Sequence, residues 1–111
     1  RRIENRIPGA DINPYLAYSG MIAAGVKGID EKIKPNNTAE QGNAYELAES
    51  KQTFLPESLE EATKVFESSK FVKEAFGEEI QQHYTNYAKQ SIAAYKPIVS
   101  DFERRILLLD I

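Results

Sequence analysis

Three charged residues at alternate positions, Arg2, Glu4 and Arg6, form the one constellation in the sequence with chemical meaning. Alternate residues of an extended chain project from the same face, so the three side chains can converge on one ligand. Two guanidinium groups can hold phosphate or carboxylate oxygens bidentately, and a carboxylate between them can hold a divalent cation that bridges those oxygens. The same spacing also occurs on ordinary solvated strand faces, so both interpretations stay open at this point.

Other residue types with chemical potential are sparse. His83 is the only histidine, so this chain cannot assemble a histidine metal cluster or a Ser-His-Asp arrangement, and we expect His83 to lie on a helix surface or to be half-buried. Asp11 could be a cation ligand, but its place before a predicted helix favours a turn or capping role. The chain has no cysteine, which excludes disulfides and thiolate metal sites and fits a reducing, cytoplasmic compartment.

The composition argues against two classes of binding partner. A formal net charge of −3 gives no broad cationic field, so we expect neither nucleic acid nor a membrane surface as a partner. The longest weakly polar run, residues 15–26, is far shorter than the roughly 20 apolar residues that span a bilayer, and no charged-then-apolar leader opens the chain. With 41% hydrophobic residues in 111, we expect one domain with a modest core.

The first third of the chain predicts the secondary structure that holds Arg2, Glu4 and Arg6. Residues 1–7 alternate with period two, which predicts a strand that Pro8 and Gly9 end. Asn13 followed by Pro14 is an N-cap with proline at the first helical position, so a helix should begin at Pro14. This helix is apolar on most sides, which predicts that it is buried.

The remaining sequence reads as an irregular loop and further helices. Residues 34–57 lack an apolar period, which favours a functional or interaction loop. Two capping boxes, Ser58 with Glu61 and Ser100 with Glu103, predict helix starts. The first of these helices should be interrupted near Ser69 and stop at Gly77, and the next should run from about Glu78 until Pro97 kinks or ends it. Its stripe of spaced apolar and aromatic residues should face the core; the stripe comprises Ile80, Tyr84, Tyr87, Ser91, Ala94 and Ile98, with Tyr95 beside it. The predicted fold is therefore mainly α, a short N-terminal strand followed by an antiparallel helical bundle.

Read together, residues 1–16, RRIENRIPGADINPYL, resemble the last active-site strand and the following helix of the glutamine synthetase family. The resemblance continues through Ala23-Ala24-Gly25 and Gly28-Ile29, Leu55-Pro56, residues 58–62 and residues 99–103, and covers essentially the whole chain. It implies that residues 1–111 are the C-terminal portion of such a catalytic domain. The family's N-terminal domain and most of its active-site sheet would then lie outside this chain.

The resemblance also implies an activity and a division of roles. The family activates the γ-carboxylate of glutamate with ATP as an acyl phosphate, which ammonia or another amine attacks, assisted by Mg²⁺ or Mn²⁺. Arg2 would contact nucleotide phosphate, Glu4 would ligate a divalent ion, and Arg6 would hold substrate glutamate or phosphoryl oxygens. Phosphoryl transfer is catalysed mainly by positioning and by fixed positive charge, which agrees with these roles.

Several expectations follow for the chain by itself. One carboxylate cannot complete a metal site, so we expect no ligase activity and no tight binding of ATP or Mg²⁺ by this chain alone, and we expect self-association into a homo-oligomer. Asn5 stands where the family often has an apolar residue, which leaves open a branch that uses a bulkier amine such as a polyamine. A non-catalytic helical interaction module is the alternative from another class. Tyr45 lies in a segment resembling a loop that some bacterial members adenylylate, and an ordinary surface tyrosine is the other interpretation.

Overall fold

The computed structural model describes residues 2–34 and 54–109, and the chain divides into two units at the junction of Phe54 and Leu55. These described ranges contain five helices: α1 (Pro14–Asp30), α2 (Leu59–Ser68), α3 (Lys70–Phe76), α4 (Glu78–Tyr95) and α5 (Asp101–Leu109). The described part of the chain is thus mainly α, as predicted. No described helix is long and apolar enough to cross a membrane.

The predicted N-terminal strand is not confirmed in the described part of the chain. Residues 2–6 form no regular secondary structure, and a bend follows at Ile7 and Pro8. A strand is stabilised by hydrogen bonds to a neighbouring strand, and the described residues supply no such neighbour. The alternating sequence alone is therefore insufficient to establish a strand here.

Helix α1 begins at Pro14, as the sequence predicts. The motif that ends the helix was not predicted from the sequence. The Asn13 side chain accepts from the backbone N–H groups of Tyr15 and Leu16, at 3.0 and 3.4 Å. At the other end, Lys32 N–H donates to Ile29 O and Ile33 N–H donates to Gly28 O, at 3.1 and 2.9 Å, which is a Schellman motif. Lys32 occupies the left-handed position of this motif, with φ +53°, where glycine is usual.

Burial of α1 is also contradicted for this chain. None of its residues is buried, and large apolar side chains such as Tyr15 and Ile29 are 81% and 77% exposed. Burial needs a covering surface, which the described residues do not provide. The helix itself is intact because capping and backbone hydrogen bonds are local.

In the second unit, α4 packs against both α2 and α3. Ser58 caps α2 by accepting from Glu61 N–H, while the Glu61 carboxylate accepts from the N–H of Glu57 rather than from that of Ser58. The helix breaks at Ser69 and stops at Gly77, as predicted, and Gly77 has φ +87°. Of the predicted antiparallel bundle, the structure shows the packing of α4 against α2 and α3.

The face of α4 that packs differs from the predicted stripe by one residue. Gln81 and Thr85 are buried, whereas Tyr87 and Tyr95 are 65% and 71% exposed. Thr63 of α2 is the third buried side chain, and no hydrophobic side chain is buried among the described residues. The expectation of an aromatic core on α4 is therefore wrong, because contact with α2 and α3 selects the neighbouring, more polar face.

Candidate functional site

The charged segment before α1 brings two of the three predicted site residues together. Arg6 Nε donates to Glu4 Oε1 at 2.6 Å, so these side chains do lie on the same side of the chain. Both are exposed, with side-chain exposures of 86% for Arg6 and 54% for Glu4. Arg2 is exposed as well and takes no part in this contact. An ion pair this open to water contributes roughly 0–1 kcal/mol, so it orients the two groups weakly.

Local hydrogen bonds set the path of the chain from this segment into α1. The Asn5 side-chain oxygen accepts from the N–H of Ile7 at 3.1 Å, an Asx turn that ends the extended run. A Cβ on Gly9 would lie 2.8 Å from Asp11 Oδ1, so only glycine fits beside that carboxylate without a shift. Asp11 therefore belongs to the turn that leads to the Asn13 cap, in line with the turn interpretation of its sequence position.

The described residues do not complete a metal site. No group of three or more His, Asp or Glu side chains that could hold a metal ion comes together in the described ranges, so Glu4 belongs to no such group there. A magnesium ion requires near-octahedral oxygen coordination, and one carboxylate supplies at most two of those oxygens. In this arrangement Glu4 and Arg6 can contribute to an anion or cation site but cannot form one alone.

Two clefts lie in the second unit, and none of the three predicted site residues lines either. One, of about 280 Å³, is bounded by the α2–α3 junction and α4 and includes Ser69, Gln81 and Thr85. The other, of about 300 Å³, lies between α2 and α4 beside Thr63 and Ile92. Gln81 and Thr85 were not singled out from the sequence, because a glutamine and a threonine on a helix carry no signal until the partner helix is placed.

His83, Glu103 and Tyr45 are the other residues that the sequence singled out. His83 lies exposed on α4, with its ring edge-on to that of Tyr84 at 5.3 Å, as expected of a surface histidine. Glu103 accepts from the Ser100 backbone N–H and hydroxyl at 2.7 and 2.8 Å, and these bonds to the charged form lower the pKa of its carboxyl. Tyr45 lies outside the described residues.

The exposed pair of Glu4 and Arg6, on the segment that leads into the capped helix α1, does not make a complete active site by itself. Comparison with known proteins identifies the family of the chain. The model of the glutamine synthetase catalytic domain matches residues 1–107, so the chain belongs to this family.

Relatives in the family carry several names. Gamma-glutamylethanolamide synthetase of Streptomyces coelicolor is 40% identical across 94% of this chain, and glutamate–isopropylamine ligase of a Pseudomonas species is 37% identical across 92%. Glutamine synthetase of Methanosarcina mazei is 37% identical across 92% of the chain. The chain spans only 22 to 24% of the length of these three relatives.

Proposed function

We propose that this chain is the C-terminal part of the catalytic domain of an ATP-dependent ligase that joins the γ-carboxylate of glutamate to ammonia through γ-glutamyl phosphate. The match to a glutamine synthetase catalytic domain across residues 1–107, which include the charged triplet, carries the proposal. ATP, glutamate and ammonia would be the reactants of the whole protein. We propose a cytoplasmic homo-oligomer as its working form.

The proposed roles follow from what each side chain can donate or accept. Arg2 and Arg6 carry guanidinium groups suited to the oxygens of a nucleotide phosphate and of glutamate or a phosphoryl group, respectively. Glu4 would give oxygen ligands to Mg²⁺ or Mn²⁺, which would neutralise phosphate charge when bound. The 2.6 Å contact supports a shared position for Glu4 and Arg6, since it puts carboxylate and guanidinium on one side of the chain.

The rest of the site would come from parts of the catalytic domain beyond this chain. Glu4 belongs to no group of three or more possible metal ligands among the described residues, and a run of large apolar side chains along α1 is exposed. This run comprises Tyr15, Tyr18, Ile22, Val26 and Ile29. We propose that a neighbouring strand pairs with residues 2–7 in the whole domain and that other elements of the sheet cover α1. By itself, the chain would then be inactive and prone to self-association.

The second candidate is a ligase of the same family that uses an organic amine. Two of the relatives are named for ethanolamide and isopropylamine chemistry, which favours this alternative. Activation of glutamate by ATP would be the same in both cases. Asn5 does not decide between them, because its side chain is engaged with the backbone of Ile7.

The test is phosphate release by the full-length protein with glutamate, ATP and Mg²⁺, comparing ammonia with a panel of amines. Glu4→Gln should reduce amine-stimulated release at least roughly 100-fold, since it removes a charge that would ligate the metal. Glu79→Gln, on an exposed carboxylate in the first turn of α4, is the matched control and should leave the rate unchanged.

Stimulated and unstimulated phosphate release would each assign a function to the protein. The amine that stimulates release most strongly identifies the acceptor and separates the two ligase candidates. If no amine stimulates release, the ligase proposal fails and the chain is a helical interaction module. If amines stimulate release but Glu4→Gln behaves like Glu79→Gln, the protein is a ligase in which Arg2, Glu4 and Arg6 are structural.

A further inference from the structure

The junction between α2 and α3 breaks a stretch that could be one continuous helix. Residues 59–76 contain neither proline nor glycine, and only Ser69 lies between the two helices. Ser69 has φ −73° and ψ 115°, an extended conformation that any residue can adopt. Serine costs only a few tenths of a kcal/mol in a helix interior relative to alanine, so the local sequence does not force a break.

Breaking the helix leaves backbone carbonyls without their usual partners. In an uninterrupted helix, Phe66 O and Glu67 O would accept from the N–H groups four residues ahead, those of Lys70 and Phe71. The break separates these groups, and Ser69 N–H donates to Phe66 O instead, at 3.3 Å, while Lys73 N–H donates to Ser69 O at 3.3 Å. A helix end of this kind needs other donors, because unsatisfied carbonyls are costly where water is excluded.

A single side chain from α4 supplies those donors. Gln81 Nε2 lies 2.8 Å from Phe66 O, 3.1 Å from Glu67 O and 3.0 Å from Ser69 O. The amide nitrogen carries two hydrogens, so one of them is shared between two of the three carbonyl oxygens; because only the nitrogen can donate to carbonyls, the orientation of the amide is determined by its surroundings. The side chain is 7% exposed, which shields these bonds from competition with water.

The break lets residues on both sides of it contact α4. Half-buried side chains of α3 include Phe71 and Phe76, and Lys73 Nζ pairs with Glu78 Oε2 at 3.0 Å. On the other side, Glu67 of α2 pairs with Lys89 of α4 at 2.6 Å. A continuous helix would carry residues 70–76 onward along the α2 axis and out of this arrangement.

We propose that Gln81 is a positioning residue that selects between two conformations of residues 59–76, the broken pair α2–α3 and a single continuous helix. Its amide takes the place of the N–H groups of Lys70 and Phe71 at the carbonyls that the break exposes. Loss of the amide shifts the segment to the continuous helix and releases α3 from α4. Gln81 is thus a conformational lock built into the fold.

Nuclear magnetic resonance of the 111-residue chain tests this directly, with wild type compared with Gln81→Met. The Cα and Cβ shifts of Ser69 report whether that residue is extended or helical. In wild type they should be those of an extended residue, and in Gln81→Met those of a helical one. Amide exchange of Lys70 and Phe71 should slow by at least about tenfold in the variant, because both N–H groups gain helical acceptors.

Two control variants test whether the change at Ser69 is specific to loss of the Gln81 amide. Gln82→Met changes the neighbouring, exposed glutamine of α4 and should leave the shifts of Ser69 unchanged. Ser69→Ala removes the hydroxyl that caps α3 by accepting from Val72 N–H, but it keeps Gln81, so residue 69 should stay extended.

The proposal is overturned if Ser69 is helical in wild type, if it remains extended in Gln81→Met, or if Ser69→Ala alone makes the helix continuous. Loss of helical shifts throughout residues 59–76 in Gln81→Met would also overturn it. In that case Gln81 would be needed for the helices to form, rather than for the choice between two helical arrangements.

Discussion

Two buried threonines in the second unit provide a matched test of the cost of an unsatisfied hydroxyl. Thr63 and Thr85 are 6% and 4% exposed, and both lie within helices. Thr63 Oγ1 donates to Leu59 O at 2.6 Å, whereas Thr85 Oγ1 has no hydrogen-bond partner among the described residues. Replacement by valine keeps the shape of each side chain and exchanges the hydroxyl for a methyl group.

The expected effects have opposite signs. Burying a polar group without a partner costs about 1–3 kcal/mol, so Thr85→Val should raise the free energy of unfolding by about 1 kcal/mol. Thr63→Val removes a hydrogen bond and should lower it by about 0.5–1 kcal/mol. Helix propensities of threonine and valine are similar, so the backbone contributes little to either difference.

Thermal and urea unfolding followed by circular dichroism measures both changes at one protein concentration. For a small domain, 1 kcal/mol corresponds to a shift in Tm of about 4–8 °C, so Thr85→Val should melt several degrees higher than wild type and Thr63→Val lower. The urea m-values should not change. A lower Tm for Thr85→Val, similar to that for Thr63→Val, would refute the reasoning, because it would show that the Thr85 hydroxyl is satisfied.

Three further predictions concern the helix ends. Lys32→Gly should stabilise the chain by about 0.5–1 kcal/mol in the same unfolding assay, because glycine adopts the left-handed conformation of Lys32 without a Cβ clash; a loss of stability would contradict this. Asn13→Ala should cost about 1 kcal/mol, while Asn13→Asp, which keeps an acceptor for the Tyr15 and Leu16 N–H groups, should cost much less, and equal losses would exclude the cap as the cause. Since the folded pKa of Glu103 is lowered from 4.5, its capping of α5 should be fully present above pH 4.5 and be lost as the pH falls through the folded pKa; helicity at residues 101–109 followed by pH-dependent carbon shifts should show this loss in wild type and not in Glu103→Gln.

Helix ends were the features best predicted from sequence, and the reason is physical. Capping by Asn13 and by Ser100 with Glu103 uses residues within three positions of each other, so the chemistry is complete before any tertiary contact forms. The stop at Gly77 is likewise local, since its φ of +87° suits glycine best. The same holds for the placement of Glu4 and Arg6 on one side, which needs only a spacing of two.

Tertiary structure decided what the local pattern could not. The alternating residues 2–7 need a neighbouring strand for their hydrogen bonds, and the described residues do not contain one. On α4 the apolar stripe with Tyr84 and Tyr87 predicted the buried face, but α2 and α3 cover the adjacent face with Gln81 and Thr85. Periodicity shows that a helix has an apolar face, whereas burial depends on which surface a partner covers. Local sequence therefore predicted where the helices begin, that α3 stops at Gly77 and that Glu4 and Arg6 share a side, whereas packing between helices determines which side chains are enclosed.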